Sequence, residues 1–159
     1  MALVVQLMAL SRQLAKKSSM RKLTLRARLD NRDIDHLEKL TGLTFPDGFK
    51  KVLLRCADSA VLENTFYDPN NKGWHIASFW DYEGIYGLTK EFREMGFGSK
   101  IAFAHDRGGW SYCLSLDPED YNAVYVYRFT DQVPEEAFLK IADSFEEFID
   151  RLEPERQQQ

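Results

Sequence analysis

The 159-residue chain has a formal charge of −4, 44% hydrophobic side chains and 13% aromatic ones, including 11 Phe, 7 Tyr and 3 Trp. That length fits one domain, and the aromatic content can fill a core, which excludes a disordered chain. Charge is unevenly placed: residues 1–28 hold Arg12, Lys16, Lys17, Arg21, Lys22, Arg26 and Arg28 and no acid, so the rest holds 14 basic against 25 acidic side chains, a balance of −11. A body of that sign repels phosphate backbones, which argues against direct nucleic-acid binding, and it attracts a basic partner.

Residues 2–10 are apolar apart from Gln6. They are too few to span a bilayer, and no basic region precedes them as in a secretory signal. Leu3, Leu7, Leu10 and Leu14 share one helical face, and the basic, acid-free segment 1–28 has the character of a transit peptide. Three readings stand: an added helix packed on the domain, a leader that targets or lies on a membrane surface, or residues ahead of a start at Met20. The domain is expected over 29–153, with 154–159 a frayed tail.

Asp30 or Asn31 can cap a first helix that runs to about Thr41, striped by Ile34, Leu37 and Leu40 and stopped by Gly42. Pro46 suits the start of a second helix over 47–56, where Phe49, Val52, Leu53 and Cys56 fall at i, i+3, i+4, i+7. The period then changes. Residues 60–66 and 74–80 read as strands on either side of the turn-forming run 68–73. Residues 82–87 read as a loop and 88–95 as a short helix ended by Gly96 and Gly98.

Residues 100–116 carry the most pattern. Ile101, Ala102, Phe103 and Ala104 lead into His105-Asp106-Arg107-Gly108-Gly109, after which Trp110, Tyr112, Leu114 and Leu116 alternate. Alternation marks a strand, and the Gly pair permits the positive φ of a reversal, so this is a central β-hairpin. A turn at 117–120 leads to a strand over 123–129, bulky on both faces. Ser144 and Glu147 fit a capping box ahead of Phe145, Phe148, Ile149 and Leu152. This order of helices, strands, short helix, strands and helix is that of an α+β fold with a mostly antiparallel sheet.

No enzyme emerges from the motifs. Adjacent His105 and Asp106 can ligate a metal only if further ligands converge, and His36 and His75 have no ligand spacing to them. Asp106 instead suits a cap on its own turn, with Gly108 and Gly109. Gly96-Phe97-Gly98 follows a helix and lacks the third glycine of a nucleotide loop. Cys56 and Cys113 read as two reduced core thiols of a cytosolic protein. No catalytic residue, metal or cofactor is therefore assigned. The better candidates are acidic and aromatic residues of the middle: Asp68, Trp74, Trp80, Asp81, Tyr82, Glu83 and Tyr86. Trp and Tyr anchor interfaces, while Asp and Glu complement a basic partner.

Several segments together resemble the SUKH superfamily, which includes bacterial toxin-immunity proteins and a yeast cell-wall-synthesis regulator. Ile34-Asp35-His36-Leu37-Glu38 with Gly42 resembles its first helix, and Phe45-Pro46-Asp47-Gly48-Phe49 with Leu53 the opening of its second. Residues 101–109 with Tyr112-Cys113-Leu114-Ser115-Leu116 resemble its signature hairpin; Val124-Tyr125 and residues 141–149 resemble its last strand and last helix. The resemblance covers about residues 30–152. It implies an α+β fold and a cytoplasmic, non-enzymatic immunity protein that neutralises a cognate toxin, often a nuclease. The alternatives are a regulatory scaffold of the same fold and a membrane-surface adaptor that uses the basic leader.

Overall fold

The computed structural model describes residues 29–128 and 134–157. The readings of 1–28, of Phe129 and of the last two residues lie outside them.

Two helices come first. Helix α1 (Asn31–Thr41) is closed at its start by two aspartates: Asp30 Oδ1 accepts from the Asp33 amide and Asp33 Oδ2 from the Asp30 amide, each at 2.9 Å. This is a capping box that settles the cap on Asp30. Gly42 ends α1 at φ 73°, the left-handed region that glycine tolerates. Helix α2 (Asp47–Cys56) buries Phe49, Val52 and Leu53, as its spacing predicts. Glu38 ties the two, accepting from the Phe45 amide at 2.6 Å and pairing with Lys50 at 3.4 Å.

Strands β1 (Thr65–Tyr67) and β2 (Gly73–His75) pair antiparallel as a separate two-stranded sheet. The strand read over 60–66 shrinks to its last residues, because the preceding stretch has little to bury and Leu62 is 60% exposed. The strand read over 74–80 is also broken. After Ile76 the chain leaves β1 and enters β3 (Ser78–Phe79), which joins the main sheet beside β4. Helix α3 (Tyr82–Glu94) follows. Strands β4 (Lys100–His105), β5 (Ser111–Ser115), β6 (Val124–Tyr127) and β7 (Phe138–Ala142) complete the main sheet, antiparallel throughout in the order β3-β4-β5-β6-β7. A 3-10 turn, Pro118–Asp120, precedes β6, and helix α4 (Pro134–Ala137) precedes β7. Thus β7, not β6, is the last strand; its exposed Leu139 and Lys140 give it no alternation to read. Helix α5 (Phe145–Asp150) ends the order. Ser144 caps it by accepting from the Glu147 amide at 3.0 Å, while the Glu147 carboxylate reaches back to the Asp143 amide rather than to Ser144.

The sheet is buried on both faces. Phe103 and Tyr112 join Phe49, Phe66, Phe145 and Phe148 in one core; Ala102, Cys113 and Tyr127 join Phe92 and Ala137 in a second. The rings of Phe103 and Phe145 meet edge to face, centroids 5.4 Å apart. Helix α3 serves both cores through Ile85 and Phe92. The β4–β5 register slips between Ala102 and Ala104, and the buried Ala102 amide bonds to Thr89 Oγ1 of α3 at 3.2 Å.

Two contacts join the C-terminal segment to the first strand. Glu153 exchanges both backbone bonds with Thr65 at 2.9 Å, and the Arg156 guanidinium lies 3.8 Å from the Tyr67 ring centre.

At the far corner Lys100 pairs with Asp117 at 3.0 Å, and Asp120 accepts from Ser115 Oγ at 2.6 Å and from the Tyr125 hydroxyl. Burial alone would raise the Asp120 pKa, but those two hydroxyls and the charge of Lys100 outweigh it and hold the carboxyl below its usual range. Burial and Asp120 push Tyr125 up to about 12.

Thr89→Val keeps the shape but leaves the Ala102 amide unpaired, so urea denaturation should show a loss of about 1–3 kcal/mol, with Thr89→Ser close to wild type. A carboxyl lowered on folding contributes stability above its unfolded pKa and loses it as pH falls through the folded value. Asp120→Asn should therefore lower stability at neutral pH, flatten the acid limb of a stability–pH curve, and bring the absorbance titration of Tyr125 down from about 12.

Candidate functional site

The β4–β5 turn is self-contained. Asp106 Oδ1 accepts from the amides of Gly108 at 2.9 Å and Trp110 at 2.8 Å, and Gly109 takes φ 98°. Asp106 is thus held by its own turn, as its position in the hairpin predicts. Among the described residues, no group of three His, Cys, Asp or Glu is placed to hold a metal ion. No disulfide joins Cys56 and Cys113, and burial pushes the Cys113 thiol well above its usual pKa. A thiol kept protonated in this way is a poor nucleophile.

Trp80 sits beside this turn. Its indole lies 4.3 Å from the His105 ring, centroid to centroid, and its Nε1 donates to Ser111 Oγ at 3.1 Å. Ser111 Oγ donates in turn to the Ala104 carbonyl. Asp81 caps α3, accepting from the Gly84 amide at 2.8 Å. Residues 82–87 are therefore helix and not the loop that Gly84 and Gly87 suggest. Gly84 is small for a packing reason: a Cβ there would stand 2.5 Å from Trp80 Cε3.

The first turns of α3 lie against α1. The Tyr82 hydroxyl and His36 Nδ1 are 2.5 Å apart, and the two rings are stacked with centroids 5.8 Å apart. Partial burial, then the charge of Asp33 with smaller contributions from Tyr86 and Glu83, raises the Tyr82 pKa. Tyr86 is half-buried against the first core, while Asp81 and Glu83 are exposed. Tyr82, Tyr86, Asp81 and Glu83 thus lie together at the start of α3, with His36 and Asp33 added from α1.

Asp68 and Trp74 form a different group. The Asp68 carboxylate accepts from the amides of Asn70 and Lys72 and from Trp74 Nε1, at 2.9, 3.0 and 3.1 Å. Burial works against its charge, but these donors prevail and its pKa is lowered. Trp74 is buried, with the Lys72 ammonium 4.5 Å from its ring centre. Trp74, Trp80, Tyr82 and Tyr86 all pack on the first core. Reading the sequence misses His36, which reaches Tyr82 across 46 positions, and also His75, Arg107 and Trp110, which line a groove beside Trp74. Their only signal is residue type, because the long-range pairing that gathers them has no local pattern.

No helix among the described residues is long and apolar enough to cross a membrane. No curated protein matches the chain. A family model described as SMI1-KNR4 cell-wall, one of the SUKH models, matches residues 31–149, from the first residue of α1 to the penultimate residue of α5. With most of its length matched and the α+β architecture in place, the chain belongs to the SUKH superfamily.

Proposed function

We propose that the chain is a non-enzymatic immunity protein that binds and neutralises a cognate toxin, a basic nuclease being the partner its charge favours. The observation that carries this reading is the start of α3, where Tyr82 and Tyr86 stand among Asp33, Asp81 and Glu83 next to α1. Membership of a superfamily that includes toxin-immunity proteins supports a protein partner. A balance of −11 outside the leader supports a basic one.

The mechanism is occlusion. Carboxylates steer a basic surface into encounter, and partly buried tyrosines supply rigid contact area that slows release. Tyr82 is pre-oriented by His36, so little side-chain entropy is lost on docking. The bound domain then covers the toxin's active site or substrate path, and no bond in the toxin is broken. Neutralisation of this kind is stoichiometric and takes place in the cytoplasm, where a nuclease would act.

Affinity capture from the native cell should recover a basic protein at about one to one. Expressed alone, that protein should arrest growth, and co-expression of the chain should restore it. Partners that are harmless when expressed alone would instead favour a regulatory scaffold, the reading suggested by the cell-wall description of the family model. Glu83→Lys, on an exposed side chain, should slow association with the captured toxin by roughly tenfold at low salt and leave dissociation nearly unchanged. Tyr82→Ala should act on dissociation, weakening the complex by more than about 1 kcal/mol. Surface plasmon resonance separates the two effects, and unchanged kinetics in both variants would exclude this face.

A further inference from the structure

Between the β1–β2 hairpin and the β4–β5 turn lies a groove of about 200 Å³, lined by Lys72, Trp74, His75, Arg107, Trp110 and Tyr112 among others. Trp74 and Tyr112 are buried, while Trp110 is half-buried. The Tyr112 hydroxyl donates to the His75 carbonyl at 2.5 Å, so the floor is fixed across both sheets.

The rim is cationic on a body that is otherwise acidic. Lys72 and Arg107 are exposed, and His75 is half-buried. The two nearby aspartates are already committed, Asp68 to two amides and the Trp74 indole, and Asp106 to the amides of Gly108 and Trp110. One carboxylate does reach this rim, that of Glu155 in the C-terminal segment. Its Oε2 lies 3.5 Å from His75 Nε2 and its Oε1 3.5 Å from the Arg107 guanidinium. Both contacts are long, and the Glu155 side chain is 48% exposed. An exposed pair of that length is readily exchanged.

We propose that this groove docks a short acidic segment of a protein partner. The partner's carboxylate replaces that of Glu155 between His75 and Arg107, and an apolar neighbour rests on Trp74 and Trp110. Glu155 is then a resident competitor, a carboxylate of the chain itself that marks the chemistry the rim accepts. The site is separate from the start of α3 and does not rest on the function proposed above. A carboxylate is favoured over a nucleic-acid phosphate because a phosphate chain would extend past the few rim cations onto a body of balance −11.

The test titrates the peptide Leu-Glu-Pro-Glu, which copies residues 152–155, into the full chain, alongside Leu-Gln-Pro-Gln and a single-stranded oligonucleotide. Indole N–H signals of Trp74 and Trp110 are followed by NMR. Saturable shifts of both signals are expected with the acidic peptide and none with its amide counterpart. Glu155→Gln should tighten acidic-peptide binding about two- to fivefold, the modest gain expected when an exposed ion pair is removed. Arg107→Gln, at an exposed position in a turn held by Asp106, should weaken it by about as much or more with signal dispersion retained. Shifts confined to other signals, equal binding of the amide peptide, or tighter binding of the oligonucleotide would each overturn the proposal.

Discussion

Every side chain from Ile101 to Ala104 and from Ser111 to Ser115 is buried, so the β4–β5 hairpin must be covered on both faces. Few elements can do this in a chain of 159 residues, and their placement follows. Helices α1, α2 and α5 bring Leu37, Phe49, Phe145 and Phe148 to one side, and α3 brings Phe92 to the other. Contacts among the phenylalanines are largely edge to face, the geometry that the ring quadrupole favours, each adding about 0.5–1.5 kcal/mol beyond area burial. The slip between Ala102 and Ala104 breaks the ladder at the most buried point, and Thr89 repairs it. One helix thus supplies both apolar cover and the missing hydrogen-bond acceptor.

The same hairpin fixes both candidate surfaces. Ser111 and His105 hold Trp80, Trp80 packs on Gly84, and the chain therefore enters α3 with Tyr82 beside His36. At the opposite edge of the turn, Tyr112 bonds to His75 and Asp106 sets the position of Trp110, which shapes the groove. A turn stiffened by its own aspartate is a suitable mount, because a rigid scaffold reduces the ordering cost of a docked partner.

The parts of the fold that were legible in the sequence are those with local signals. The alternation after Trp110 and the glycine pair mark the hairpin, the stripe from Phe49 to Cys56 marks α2, and Gly42 marks the end of α1. Helix α3 was legible only in part. Gly84 and Gly87 suggest a loop, yet Asp81 is a cap and Ile85, Leu88, Thr89 and Phe92 hold helical spacing. The division of residues 74–80 between two sheets has no local code, since the switch is set by β4 and by the Ser59 carbonyl that accepts from the Phe79 amide. Strand β7 lies at an edge and does not alternate. For the candidate site, residue types were readable and partners were not: Tyr82 needs His36 and Glu155 needs His75, pairs brought together only by the folded topology.

Family membership and architecture agree on a SUKH domain, and the proposed action is recognition at the start of α3. Hydrogen–deuterium exchange of the chain alone and with its captured partner tests that claim most directly. The account predicts slowed exchange in α1 and the first turns of α3, centred on Tyr82, Glu83 and Tyr86, with the β4–β5 hairpin slow in both states. Unchanged exchange there, with new protection along the β7 edge, would contradict it.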